Sequence, residues 1–194
     1  MNDTMINGIR LRFVTGRMVG VKEIGHVCFC RPLDGERPGG ISCVANTGGF
    51  VPCTAVGNFL GVRKSCLEGA VTECNQSQEV RVFMPCERGI RLHGANAHTA
   101  TPSLILTPRP RNFRVFDEDA ARRLMAEVLA VSDEHQIRIL RMVQFCMLFD
   151  PLPRHHLRGV RLAIEEYAGP SSLQEIVFDL DERHASALYA VFTD

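Results

Sequence analysis

The sequence has no tryptophan, two tyrosines, and only two lysines, Lys22 and Lys64, among 22 basic residues. With lysine nearly absent, the cationic chemistry falls to arginine. Its planar fork suits geometry-specific contacts with carboxylates and phosphates better than a diffuse positive coat does. Net charge is missing as well. The 22 acidic side chains balance the 22 basic ones, which argues against bulk electrostatic attraction to nucleic acid or an anionic membrane. No apolar run approaches the roughly 20 residues that span a bilayer, so no membrane span is expected. The first residues, MNDTMINGIRLRF, lack the apolar stretch of a secretory signal. The eight cysteines are therefore expected to be reduced and the protein intracellular, cytoplasmic or nuclear. Three motifs are also missing. There is no C-x-x-C pair, no G-x-S-x-G elbow and no phosphate-binding P-loop, because Gly57 and Gly61 enclose three residues rather than four and Lys64 comes late.

What is present is globular in kind. A chain of 194 residues with 45% apolar and 23% charged side chains suits one ordinary domain or two small ones, burying roughly 70% of the unfolded surface. The neutrality hides a division. Residues 1–114 carry 14 basic against 8 acidic side chains, and residues 115–194 carry 8 against 14. Seven of the eight cysteines also fall within the first 86 residues.

The patterning changes near residue 110. Ile9, Leu11 and Phe13 alternate with Arg10 and Arg12, the period of a half-buried strand. Short strand-like runs follow at 26–30, 41–45, 50–56, 80–86, 90–93, 104–107 and 113–116, with Gly-rich turn signals between them. After Asp117 the spacing becomes helical: 117–131, a second helix capped by Ser132 and burying Ile137, Leu140, Val143 and Met147, then 153–168. Ser172 and Glu175 form a capping-box pattern for a fourth helix, and 182–192 reads as a fifth. The expected architecture is α+β: a β-rich, Cys/Gly-rich barrel or sandwich-like domain over 1–110, then a bundle of four to five helices over 111–194.

Three groups of residues invite functional readings. His26, Cys28 and Cys30 are candidate metal ligands, since thiolate and imidazole suit zinc, although alternate positions on one strand suit joint burial equally. Cys86 with His93 or His98 is the pair on which a thiol enzyme would be built, because those histidines flank a polar, glycine-bearing segment. Arg154, His155, His156, Arg158 and Arg161 crowd the start of a helix whose last turn holds Glu165 and Glu166. That order opposes the helix dipole, each misplaced charge costing about 0.3–1 kcal/mol where exposed, and it marks a candidate partner- or anion-binding surface.

With no catalytic motif, the sequence favours a non-catalytic protein–protein interaction or assembly subunit of a larger intracellular complex, with protein partners. The alternatives are a metal-stabilised, nucleic-acid-associated protein using the Cys/His-rich half, and a cysteine-dependent enzyme. Zinc is the one candidate cofactor, and nucleic acid has weak support from Arg109, Arg111 and Arg114 around Phe113.

Overall fold

A computed structural model describes residues 3–15, 24–29, 73–74, 76–83, 103–107, 117–142, 154–168, 172–180 and 182–193. Its centre is one mixed sheet of strands β1 (Asp3–Ile6), β2 (Ile9–Thr15), β3 (Ile24–Phe29), β4 (Arg81–Phe83), β5 (Ser103–Thr107), β6 (Ile139–Met142) and β7 (Glu175–Leu180). Helices α1 (Glu118–Glu134), α2 (Arg154–Glu165) and α3 (Glu182–Thr193) accompany it, and residues 73–74 and 76–77 are helical as well. The strand order is β1-β2-β7-β6-β3-β5-β4. The five inner strands are mutually parallel, and β1 and β4 run antiparallel at the two edges.

This overturns the expected barrel followed by a helical bundle. Strands from the first 110 residues and strands from the remainder interleave in one sheet: β7 lies beside β2, and β6 beside β3. Two segments expected as helices are strands. Residues 137–142 read IRILRM, which satisfies a period of two as well as a helical one; Leu140 and Met142 are buried and Ile139 and Arg141 half-buried. In β7, Ile176, Val177 and Phe178 are all buried, the continuous apolar run of a strand covered on both faces. Ser172 does not cap a helix there: its backbone N–H and Oγ both donate to Asp133 Oδ1, at 2.9 and 3.2 Å. Nor does Ser132 start a helix. It lies fully buried within α1, its hydroxyl donating to the Val128 carbonyl at 2.6 Å. The strand-like runs expected at 41–45, 50–56, 90–93 and 113–116 lie outside the described residues.

All three helices pack on one face of the sheet. Leu11, Ile176 and Leu140 sit in register across three strands, as do Phe13, Phe178 and Met142. These six share a core with Met125, Val128 and Leu129 of α1, Leu157, Val160 and Ile164 of α2, and Leu188 and Phe192 of α3. Phe13 stacks on Phe178 with centroids 5.4 Å apart, meets Tyr189 edge-on at 5.8 Å and lies 5.7 Å from Phe192, so α3 is pinned by aromatic contacts. Each such ring contributes roughly 1.5–3 kcal/mol through burial, and aromatic pairing adds about 0.5–1.5 kcal/mol. On the opposite face, Arg12 is held by Glu175 at 3.1 Å.

Two close contacts fix how the helices sit. Asn7 and Gly8 both have positive φ, 51° and 77°, and form the two-residue turn joining β1 to β2; the Asn7 side-chain amide donates to the carbonyls of Ile164, in the last turn of α2, and Tyr167, just beyond it. At Gly159 the backbones of α1 and α2 nearly touch. An added Cβ would lie 2.1 Å from the Glu118 carbonyl oxygen. We therefore expect Gly159→Ala to lower the unfolding free energy by about 3 kcal/mol, read as a fall in the urea midpoint; an unchanged midpoint would show that α1 can slide.

Asp133, near the end of α1, also receives the Tyr167 hydroxyl. Burial, then the bond to Asp133 and its charge, raise the Tyr167 pKa from 10.0 to about 12. Because the folded value lies above the unfolded one, this phenol contributes stability that is complete below pH 10 and lost as pH rises towards 12. Tyr167→Phe should flatten the alkaline fall of the melting temperature within that window, and an identical profile for the two proteins would refute the assignment.

Candidate functional site

In a parallel sheet, every helix that follows a strand starts at that strand's carboxyl end. Here α1 follows β5, α2 follows β6 and α3 follows β7 after the single residue Asp181. Three helix amino termini are thus gathered at one end of the sheet. Each carries roughly half a positive charge from its aligned peptide dipoles and a set of unsatisfied N–H groups, which favours an anionic ligand there. At α1 one of those groups is already used, because the Asp117 carboxylate accepts from the Ala120 N–H at 2.9 Å.

The order of the strands narrows the location. From β3 the chain proceeds outward to β4 and β5; from β6 it proceeds the other way, to β7. Adjacent parallel strands whose continuations diverge leave a crevice outside their carboxyl ends, and ligands of open α/β sheets bind at such a switch point. In this chain it lies beyond Phe29 of β3 and Met142 of β6, strands joined by the register pairs His26 with Arg141 and Val27 with Met142. Neighbouring β5 ends there in the fully buried Thr107.

The candidate metal ligands are only partly brought into view. His26 and Cys28 stand at alternate positions of β3, an interior strand, so their Cα neighbours are Leu104 and Arg141 for His26 and Leu106 for Cys28. None of these neighbours is a metal ligand, and Cys30 lies outside the described residues. Among the described residues no group of three or more His, Cys, Asp or Glu side chains could hold a metal, so the expected zinc-binding character has no structural support. Cys74 is buried, and its thiol donates to the Glu79 carbonyl at 3.3 Å. Cys86, His93, His98 and the arginines at 109, 111 and 114 are outside the described residues.

The basic group does fall on one helix, α2, but it divides. Arg154, His155 and Arg158 are exposed, whereas His156 is buried against the core and meets the His155 ring edge-on with centroids 4.2 Å apart. Arg161 is committed: its Nε pairs with Glu165 at 2.6 Å and its Nη1 donates to the Val191 carbonyl at 2.7 Å. The last turn of α3 has no basic residue of its own, so Arg161 supplies the cation that its terminal carbonyls favour.

No protein-family model matches the chain, and no curated protein matches it. Solved structures do. A single-residue variant of the Oceanobacillus iheyensis macrodomain superposes with a TM-score of 0.61 at 14% identity, covering 98% of this chain and 94% of that one. Another variant of the same macrodomain, with ADPR bound, gives 0.59 at 13% identity over 98% and 94%. The macrodomain of Thermus aquaticus DarG gives 0.51 at 14% identity over 87% and 97%. Identities this low speak for the fold alone, and the fold is that of macrodomains. The expectation of an assembly subunit built from a barrel and a helical bundle falls with the architecture on which it rested. The metal-stabilised and thiol-enzyme alternatives lose the barrel or sandwich-like domain on which they were drawn, while Cys30, Cys86, His93 and His98 lie outside the described residues. No described helix is long and apolar enough to cross a membrane.

Sequence reasoning missed the switch point because its signal, helices alternating with buried strands after residue 117, was read as helices throughout. It also missed the structural duty of Arg161. Arg161→Met should cost about 1.5–3 kcal/mol, the worth of hydrogen bonds from a charged donor, and should fray α3, seen as faster amide exchange at residues 190–193. Exchange unchanged in the variant would show that α3 is held by its aromatic contacts alone.

Proposed function

We propose that the chain binds a nucleoside diphosphate derivative, ADP-ribose being the leading candidate, in the crevice beyond β3 and β6. The observation that carries this reading is the sheet order, which opens a switch point where three helix amino termini also converge. It is supported by the shared fold, since one Oceanobacillus macrodomain structure holds ADPR and another holds ADP. A pyrophosphate suits the site physically: two adjacent negative charges meet helix dipoles and backbone N–H groups in a partly dehydrated cleft. The sequence between β6 and α2, residues 143–153, contains no glycine, whereas residues 30–49 contain five.

Protein partners and an intracellular setting belong to the same proposal. The intracellular setting is supported by the reduced state expected of the thiols.

The test is titration calorimetry of the whole chain with ADP-ribose, accompanied by thermal unfolding. At a ligand concentration a hundred times Kd the native state gains about 2.7 kcal/mol, or roughly 5–10 °C in Tm for a chain of this size. ADP should bind more weakly than ADP-ribose if the distal ribose is also held. No saturable heat and no thermal shift at millimolar ADP-ribose would overturn the proposal.

A further inference from the structure

The outer surface of α2 carries a second concavity. Arg154, Arg158, Arg161 and Glu165 recur at helical spacing along one stripe of α2. With Glu118 at the start of α1 and Val191 near the end of α3, they line a groove of about 350 Å³. The groove is assembled from three helices and is held in shape from below. The Gly159 contact locks α1 to α2, and Arg161, fastened to Glu165 and to the Val191 carbonyl, bridges α2 to α3.

The other two arginines are spare. Arg154 and Arg158 are exposed and make no ion pair or hydrogen bond with any described residue. They stand one helical turn apart, about 6 Å between their Cβ atoms, in the half of α2 where the dipole disfavours cations. Glu165 is committed to Arg161, so among the described residues lining the groove the carboxylate not already matched is Glu118. Among those residues two guanidiniums face one carboxylate, a cationic surplus, while Arg161 and Glu165 cancel.

We propose that this groove binds a small phosphate-bearing ligand, with Arg154 and Arg158 each presenting a fork to a different phosphate group of a diphosphate. The fork matches phosphate oxygens in pairs, and the volume lies at the lower end of small-molecule sites, which suits a compact anion. Glu118 opposes the ligand and sets its affinity. The groove lies along α2 between α1 and α3, and the proposal stands whether or not the crevice beyond β3 and β6 binds ADP-ribose.

The test is a titration of the uniformly ¹⁵N-labelled full chain with inorganic pyrophosphate, in the presence of excess ADP-ribose, following amide shifts at residues 154–165 and 190–193. Saturable shifts are expected there. Arg154→Gln and Arg158→Gln should each weaken binding by about tenfold, the loss of one charge-assisted contact, and Glu118→Gln should tighten it several-fold. Neither arginine has a partner to lose among the described residues, so the variants are expected to keep the wild-type Tm. Absent or non-saturating shifts in the groove overturn the proposal. So do an Arg158→Gln protein that binds as wild type, shifts confined to the ends of β3 and β6, or sulfate binding as tightly as pyrophosphate. The outcome is distinguishable from failure of the nucleotide reading, which is decided by ADP-ribose heats and not by pyrophosphate shifts on α2.

Discussion

Everything described here depends on parallel pairing between strands that are far apart in the sequence. Residues 10–15 of β2 lie in register with residues 175–180 of β7, and β3 lies in register with β6 more than a hundred residues later. Parallel neighbours need a crossover, and a crossover helix must start at the carboxyl end of the strand it leaves. That single constraint gathers the amino termini of α1, α2 and α3 at one end of the sheet. The reversal of direction between β3 and β6 then opens a crevice at the same end. The electrostatic character of the crevice follows from backbone geometry before any side chain is considered.

The helical layer is fastened to the sheet by contacts of different kinds at different heights. Aromatic packing of Phe13 and Phe178 against Tyr189 and Phe192 holds α3. Backbone contact at Gly159 sets the distance between α1 and α2. At the far end, Asp133 gathers Tyr167 and Ser172, and Asn7 reaches the carbonyls that end α2. These polar links lie at the end of the sheet opposite the three helix amino termini.

Arginine serves two purposes on α2. Arg161 completes the end of a neighbouring helix, whereas Arg154 and Arg158, a turn or two away, are left unmatched by the described residues. The same residue type on the same stripe is therefore structural at one position and available at the others. Only the neighbours distinguish them: Val191 and Glu165 bond one guanidinium, and the other two make no ion pair or hydrogen bond with a described residue.

Several features were legible in the sequence for a physical reason. The alternation of Ile9, Leu11 and Phe13 with arginines is a local pattern, as is the helical spacing of Leu157, Val160 and Ile164, and the structure forms β2 and α2 from them. Residues 137–142 and 175–180 were misread because a short apolar run fits both periods. Burial on both faces erases the alternation that would have marked β7 as a strand. By itself the sequence determined where amphipathic faces lie, which side chains carry charge and that the basic residues would cluster on α2. The tertiary structure alone decided which strands pair, where the crevice opens and which of those arginines are already used. Those matters depend on contacts between residues more than a hundred positions apart, or on separate helices, and no local spacing encodes them.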